Sequence, residues 1–123
     1  SEYSMVLRLA EQYLIRAESR AMQGNISGAI ADVDVLRSRA GLDLINDIEP
    51  EINKEGLLNI ISEERKLELF SECGHRWFDL KRTGKASQVL MPIKPLWQET
   101  DVLFPIPQVE LDKNQNLHQN VGY

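Results

Sequence analysis

Carboxylates crowd one short stretch of this sequence, at Glu63, Glu64, Glu68 and Glu72. Glu64, Glu68 and Glu72 stand four residues apart, so a helix would align them in one row, the raw material of general acid–base chemistry. Arg65, Lys66 and Arg76 stand close enough in sequence to neutralise them. An ionised, salt-bridged carboxylate is a poor general acid. Glu64, Arg65, Glu68, Glu72, Arg76, Asp79 and Arg82 therefore read as an ion-pair network between two helical pieces that meet near Gly74, and no catalytic residue is assigned. His75 is accompanied only by His118 and by no Cys/His spacing, which favours a polar junction or packing over metal ligation. Cys73 follows Glu72, a setting that does not stabilise a thiolate, and is expected to be a small, semi-buried side chain. No Gly-rich phosphate loop, nucleophile elbow or EF-hand loop occurs, and no cofactor or metal is implied. Trp77 and Trp97 remain, because an indole face can stack on a pyranose. Trp77, beside Phe78 and Leu80, is expected in the core. Trp97 lies in a proline-flanked stretch; packing is favoured there too, with glycan contact kept open as the one candidate.

Periodicity supplies the elements that must hold these residues. Val6, Leu9, Ala10, Tyr13, Leu14, Ala17 and Ala21 recur at helical steps and predict a helix from about Tyr3 to Gln23. Gly24 can close it and Asn25 can cap a second helix running to about Ala40, with Ile26, Ala29, Ile30, Val33, Leu36 and Ala40 inward. Arg37 and Arg39 complement the negative end of that helix, and Gly41 stops it. The pair reads as an antiparallel hairpin of tetratricopeptide-like grammar, with small alanines at the crossing. Leu42 to Ile52 is a connection broken by Asn46, Asp47 and Pro50. Asn53 can cap a long third helix through Leu57, Leu58, Ile60 and Ile61 to Leu67, Leu69 and Phe70. A shorter piece follows and ends at Gly84. From Ser87 the helical pattern fades, Pro92, Pro95, Pro105 and Pro107 restrain the chain, and Val102-Leu103-Phe104 is expected to be a short strand or an extended segment. The expected fold is mainly α: a hairpin over 1–41, signature helices over 53–84 and an irregular proline-rich tail over 85–123. A lone hairpin leaves an apolar face, expected around Val6, Tyr13 and Ala17.

The 123 residues are 42% hydrophobic, enough for one compact domain or a slice of a larger one. A net charge of −5, with 14 Lys and Arg scattered among 19 acids, argues against a nucleic-acid partner. Polar breaks interrupt every apolar segment, so none is long enough to span a bilayer. No basic n-region followed by an apolar h-region occurs, and the single cysteine excludes an internal disulfide.

The run ERKLEL followed by ECGHRWFDLKRTG, from Glu64 to Gly84, resembles the C-terminal signature of SusD/RagB proteins, nutrient-binding outer-membrane lipoproteins of Bacteroidetes. The tail is similar to the closing signature of that family: Trp97, Leu103 to Pro107, Glu110-Leu111, Asn114 to Leu117, and Gln119 to Tyr123. Gln115 and Val121 stand where the family pattern has prolines, which bears on the stiffness of both turns. The resemblance covers most of the chain and is most specific at Glu64–Arg82 and Leu103–Tyr123. It implies the C-terminal region of a longer protein that binds oligosaccharides or other nutrients at the cell surface, without chemistry on them, for a SusC-like TonB-dependent transporter. Attachment to the outer membrane would then depend on an N-terminal lipid anchor absent from this chain, since Cys73 is mid-chain. A tetratricopeptide-like protein-interaction module is the alternative, and a hydrolase of the same substrates would need a carboxylate pair free of cations.

Overall fold

The computed structural model describes residues 7–123, and among them it is helical with no strand. Two compact units follow one another, 1–76 and 77–123.

The first unit is built on a helical hairpin. Helix α1 (Leu9–Met22) closes at Gly24, whose φ of 84° lies in the left-handed region that a side chain disfavours. Asn25 then accepts from the Gly28 N–H at 3.0 Å and starts α2 (Ile26–Ala40), which ends at Gly41. Ala17, Ala21 and Ala29 are fully buried, as expected for helices that approach closely. A buried carboxylate lies beside this seam. Asp32 on α2 accepts from Arg16 Nη2 at 2.7 Å and Nε at 3.0 Å, and from Arg20 Nη1 at 2.8 Å. That hydrogen bond raises the pKa of Arg16 above its ordinary value. Three guanidinium N–H donors thus compensate a charge that would be costly to bury alone.

The segment read as a broken connection contains one further turn of helix, α3 (Ile45–Ile48). Asn46 and Asp47 are poor helix formers, but the Asp34 side chain of α2 accepts from the N–H groups of Ile45 at 2.7 Å and Asn46 at 3.2 Å. A cap supplied eleven residues upstream leaves no local signature. Ile45 thereby enters the main core with Ile30, Val33, Leu57 and Ile61. Helix α4 (Lys54–Glu68) starts at Asn53, which accepts from Gly56 N–H at 2.8 Å, and stops two residues before the expected Phe70.

Several apolar positions differ from the periodic reading. Leu9 and Ala40 are exposed, because the stripes of α1 and α2 turn out of the seam at their outer ends. Ala17 is covered completely by the unit's own residues, and Tyr13 is half-buried with the Arg16 guanidinium 5.2 Å from its ring centre. The expected apolar face therefore does not run through Ala17; Val6 lies outside the described residues. Exposed apolar surface on α1 comes instead from Leu9, Ile15 and Met22.

The boundary between the units falls within α5 (His75–Arg82). Beyond it come α6 (Ala86–Leu90), a 3-10 turn (Glu99–Val102) and α7 (Gln108–Lys113), so the tail is less irregular than the prolines suggest. Val102 belongs to the 3-10 turn and Leu103 is extended, but no ladder forms. Side chains replace it. Gln119 accepts from Ile106 N–H at 2.8 Å and donates back to Ile106 O at 2.9 Å. Asn120 donates to Phe104 O at 2.7 Å and the Tyr123 hydroxyl to Leu103 O at 2.8 Å. Gly122, at φ 103°, sits where a Cβ would come within 2.5 Å of Thr100 Oγ1. Where a proline is missing from the first turn, the Asn114 side chain accepts from Asn116 N–H at 3.0 Å.

Because the two carboxylate oxygens of Asp34 accept the two N-cap contacts of α3, Asp34→Ala should cost about 1 kcal/mol in urea denaturation, and Asp34→Asn, with a single acceptor oxygen, should recover only part of it.

Candidate functional site

The charged stretch is drawn together by α1, α2 and α4. Glu64 on α4 accepts from Arg37 Nη1 at 2.5 Å, both side chains being largely buried. Glu68 is held from two sides, by Arg8 and by Arg39 Nη2 at 2.6 Å. Arg8 also reaches Glu72 Oε1 at 2.5 Å and the Glu68 carbonyl at 2.8 Å. Since α4 ends at Glu68, Glu72 does not continue the helical row and meets Glu68 only through Arg8. Arg65 is buried, with Nη2 4.0 Å from Glu11 Oε1, and His75 Nδ1 lies 3.6 Å from the same oxygen. In the second unit Asp79 accepts from Arg82 Nε at 2.8 Å. Arg76 is half-buried and makes no ion pair among the described residues, unlike the expectation for it.

The sequence reading missed Arg8, Arg37, Arg39 and Glu11 as members. The two α2 arginines had a sufficient local explanation in the helix dipole. Which long side chain reaches which carboxylate depends on how the helices cross. The arrangement places an arginine on Glu64, Glu68 and Glu72 alike. Cys73 also departs from expectation: it is exposed and holds a φ of 43°, in a turn where Ser71 is at 60°. Both residues take the left-handed region, uncommon for residues with a side chain, in the short link between α4 and α5. Among the described residues no three His, Cys, Asp or Glu side chains are grouped to hold a metal ion.

A different constellation forms in the second unit. Trp77, expected in the core, is only half-buried. Its indole meets Trp97 edge-on, with centroids 6.1 Å apart at 78°, and Phe104 at 6.3 Å and 69°. Lys81 Nζ stands 5.4 Å from the centre of the Trp77 ring. Trp97 is anchored by its Nε1–H, which donates to Ser87 Oγ at 3.1 Å. Phe78, the next residue along α5, is 61% exposed, because neighbouring helical positions point about 100° apart and cannot share one face. Trp77, Trp97 and Phe104, with Leu96, Lys94 and Asp101, line an open groove of about 450 Å³. Trp77 and Trp97 were recognisable as aromatic candidates. Phe104, Lys94 and Asp101 join them only because the 3-10 turn and the side-chain clasp fold 94–104 back on α5.

The SusD family profile (SusD_RagB) matches residues 1–123, the whole chain. The chain belongs to the SusD family. It is 36% identical to SusD-like protein P38 and 39% identical to SusD-like protein P2, both of Formosa agariphila, over 97% and 95% of its length. A SusD-like protein of Bacteroides fragilis, BF3747, superposes with a TM-score of 0.77 at 29% identity over 95% of this chain. The solved structure of BT4246 gives 0.79 at 27% identity over 97%. This chain spans about a quarter of the length of each of these proteins (24% of P38 and of BT4246, 25% of P2 and of BF3747).

In this SusD-family chain Glu68 joins Arg8 of the first helix's N-terminal end to Arg39 of α2, and its side chain is only 15% exposed. Glu68→Ala should therefore cost about 1.5–3 kcal/mol, the usual worth of hydrogen bonds to charged groups. Thermal and urea denaturation check this, and a loss no larger than that of Glu63→Ala, whose pair with Lys66 is exposed, would mark the cluster as a solvated face.

Proposed function

We propose that this chain is the C-terminal portion of a longer SusD-like protein that captures oligosaccharides at the cell surface. The observation that carries the reading is the family match along all 123 residues. It is supported by the engagement of Glu64, Glu68 and Glu72 by arginines, which suits a binding protein better than a glycosidase, whose paired carboxylates must exchange protons and attack. The whole protein would be held at the outer membrane by an N-terminal lipid anchor and would hand its ligand to a SusC-like TonB-dependent transporter. Among the described residues no helix is long and apolar enough to cross a membrane, in keeping with attachment by an anchor outside this stretch. Trp97 is the candidate glycan contact carried over from the sequence.

A protein-interaction module is the second reading. A shallow depression of about 340 Å³ on the outer face of α1, lined by Leu9, Gln12, Tyr13, Ile15 and Arg16, favours it. The two readings separate experimentally. The full-length protein is titrated calorimetrically with maltohexaose, xylohexaose, laminarihexaose, mannohexaose and hexagalacturonate, and each mixture is then checked for shortened products. Saturable binding to at least one sugar without cleavage is expected, together with co-purification of a TonB-dependent barrel from outer membranes. No binding to any sugar would overturn glycan capture, and cleavage would overturn the non-catalytic reading.

A further inference from the structure

We propose that Arg8 is a latch that ends α4 early, and that its release lets α4 run on to Gly74. The link between α4 and α5 is then an element with two states, one held by a tertiary contact and one by local preference. It lies within the first unit, and its mechanics do not depend on glycan capture.

Local chemistry favours the longer helix. After Arg65 come Lys66, Leu67, Glu68, Leu69, Phe70, Ser71 and Glu72, with no glycine or proline before Gly74. Lysine, leucine and glutamate are good helix formers, and a left-handed glycine is the common closing residue of a helix. Gly74 already holds a φ of 71°. Leu69 is buried and continues the row of Leu57, Ile61 and Arg65 at four-residue steps, so an extended α4 can keep it in place. Yet α4 stops at Glu68. Beyond it Ser71 takes a φ of 60° and Cys73 one of 43°, which costs free energy for any residue with a Cβ. Contacts from elsewhere in the fold must offset that cost.

Arg8 makes those contacts. In a continuing α-helix the Glu68 carbonyl accepts from the N–H of residue 72. Here Arg8 Nη1 donates to that carbonyl at 2.8 Å, and the Glu72 N–H turns instead to Leu69 O at 3.1 Å. The same Nη1 reaches the Glu72 carboxylate at 2.5 Å, while Nη2 holds that of Glu68. One guanidinium thus occupies the acceptor that helix extension needs and restrains the residue that would donate to it. Arg8 stands 60 residues from Glu68 in sequence, immediately before α1, so a displacement of the segment entering α1 is transmitted to the end of α4. With the latch open, Glu72 N–H takes the Glu68 carbonyl, Ser71 and Cys73 return to right-handed angles, and Gly74 becomes the cap.

The test is a set of crystal structures of the full-length protein, wild type against two variants. Arg8→Ala removes the latch. Ser71→Val leaves Arg8 intact but places a β-branched side chain where φ is positive, which disfavours the latched state from the other end. In both, φ at positions 71 and 73 is expected to swing to about −60°, with α4 continuous through Glu72. Ser71→Gly, which tolerates either hand, should keep the short α4 and the Arg8 contact to the Glu68 carbonyl. Positive φ retained at 71 and 73 in either variant would overturn the latch, as would a link that loses order without lengthening α4. Should Arg8→Ala fail to fold, Ser71→Val decides alone by the same angles.

Discussion

The first unit depends on the close approach of α1 and α2 at Ala17, Ala21 and Ala29, none of which retains any exposed surface. Larger residues there would push the helix axes apart, because ridges and grooves can interlock only where side chains are small. The short separation also brings Arg16 and Arg20 within reach of Asp32, and it sets the angle at which α4 lays Leu57 and Ile61 against Ile30 and Val33. A buried carboxylate beside an alanine seam restricts register, since a shift of one residue along α1 would carry both guanidinium groups away from it. The apolar contact stabilises the hairpin, and the ionic contact makes one alignment much better than its neighbours.

A related economy governs the charged cluster of α4. Glu64 and Glu68 are held by Arg37 and Arg39 of α2 and by Arg8, the residue before α1, so the cluster ties α4 to α2 and to the start of α1. Pairs like these need not exceed a hydrophobic alternative in stability. Breaking one leaves a charge with poor solvation, so each member constrains the others. The same arginines keep Glu64, Glu68 and Glu72 engaged in ion pairs between segments distant in sequence.

In the second unit, backbone satisfaction is achieved by a different route. Leu103 to Ile106 are extended and proline-bounded, and their polar groups are met by the amides of Gln119 and Asn120 and the hydroxyl of Tyr123. Side chains can satisfy a short segment without exposing an edge that would recruit another strand. They also leave the Phe104 ring outside a core, against Trp77.

Much of the secondary structure was legible from sequence because its causes are local. Gly24 and Asn25 sit at the turn, Gly41 and Asn53 mark a stop and a start, and the positions Ala10, Leu14, Ala17 and Ala21 repeat at helical steps. Mainly helical content, the hairpin and membership of the SusD family follow from such patterns and from the density of the Glu64–Gly84 and Leu103–Tyr123 motifs. Only tertiary structure decided the rest. Asp34 induces α3 from eleven residues away, Arg8 and Arg39 reach Glu68 across helices, and Lys94, Asp101 and Phe104 meet Trp77 through a fold of the tail. Each of these depends on side chains distant in sequence arriving at one place. Periodicity and capping describe the energy of a residue among its neighbours along the chain, whereas partners of this kind are chosen by packing geometry that no local pattern encodes.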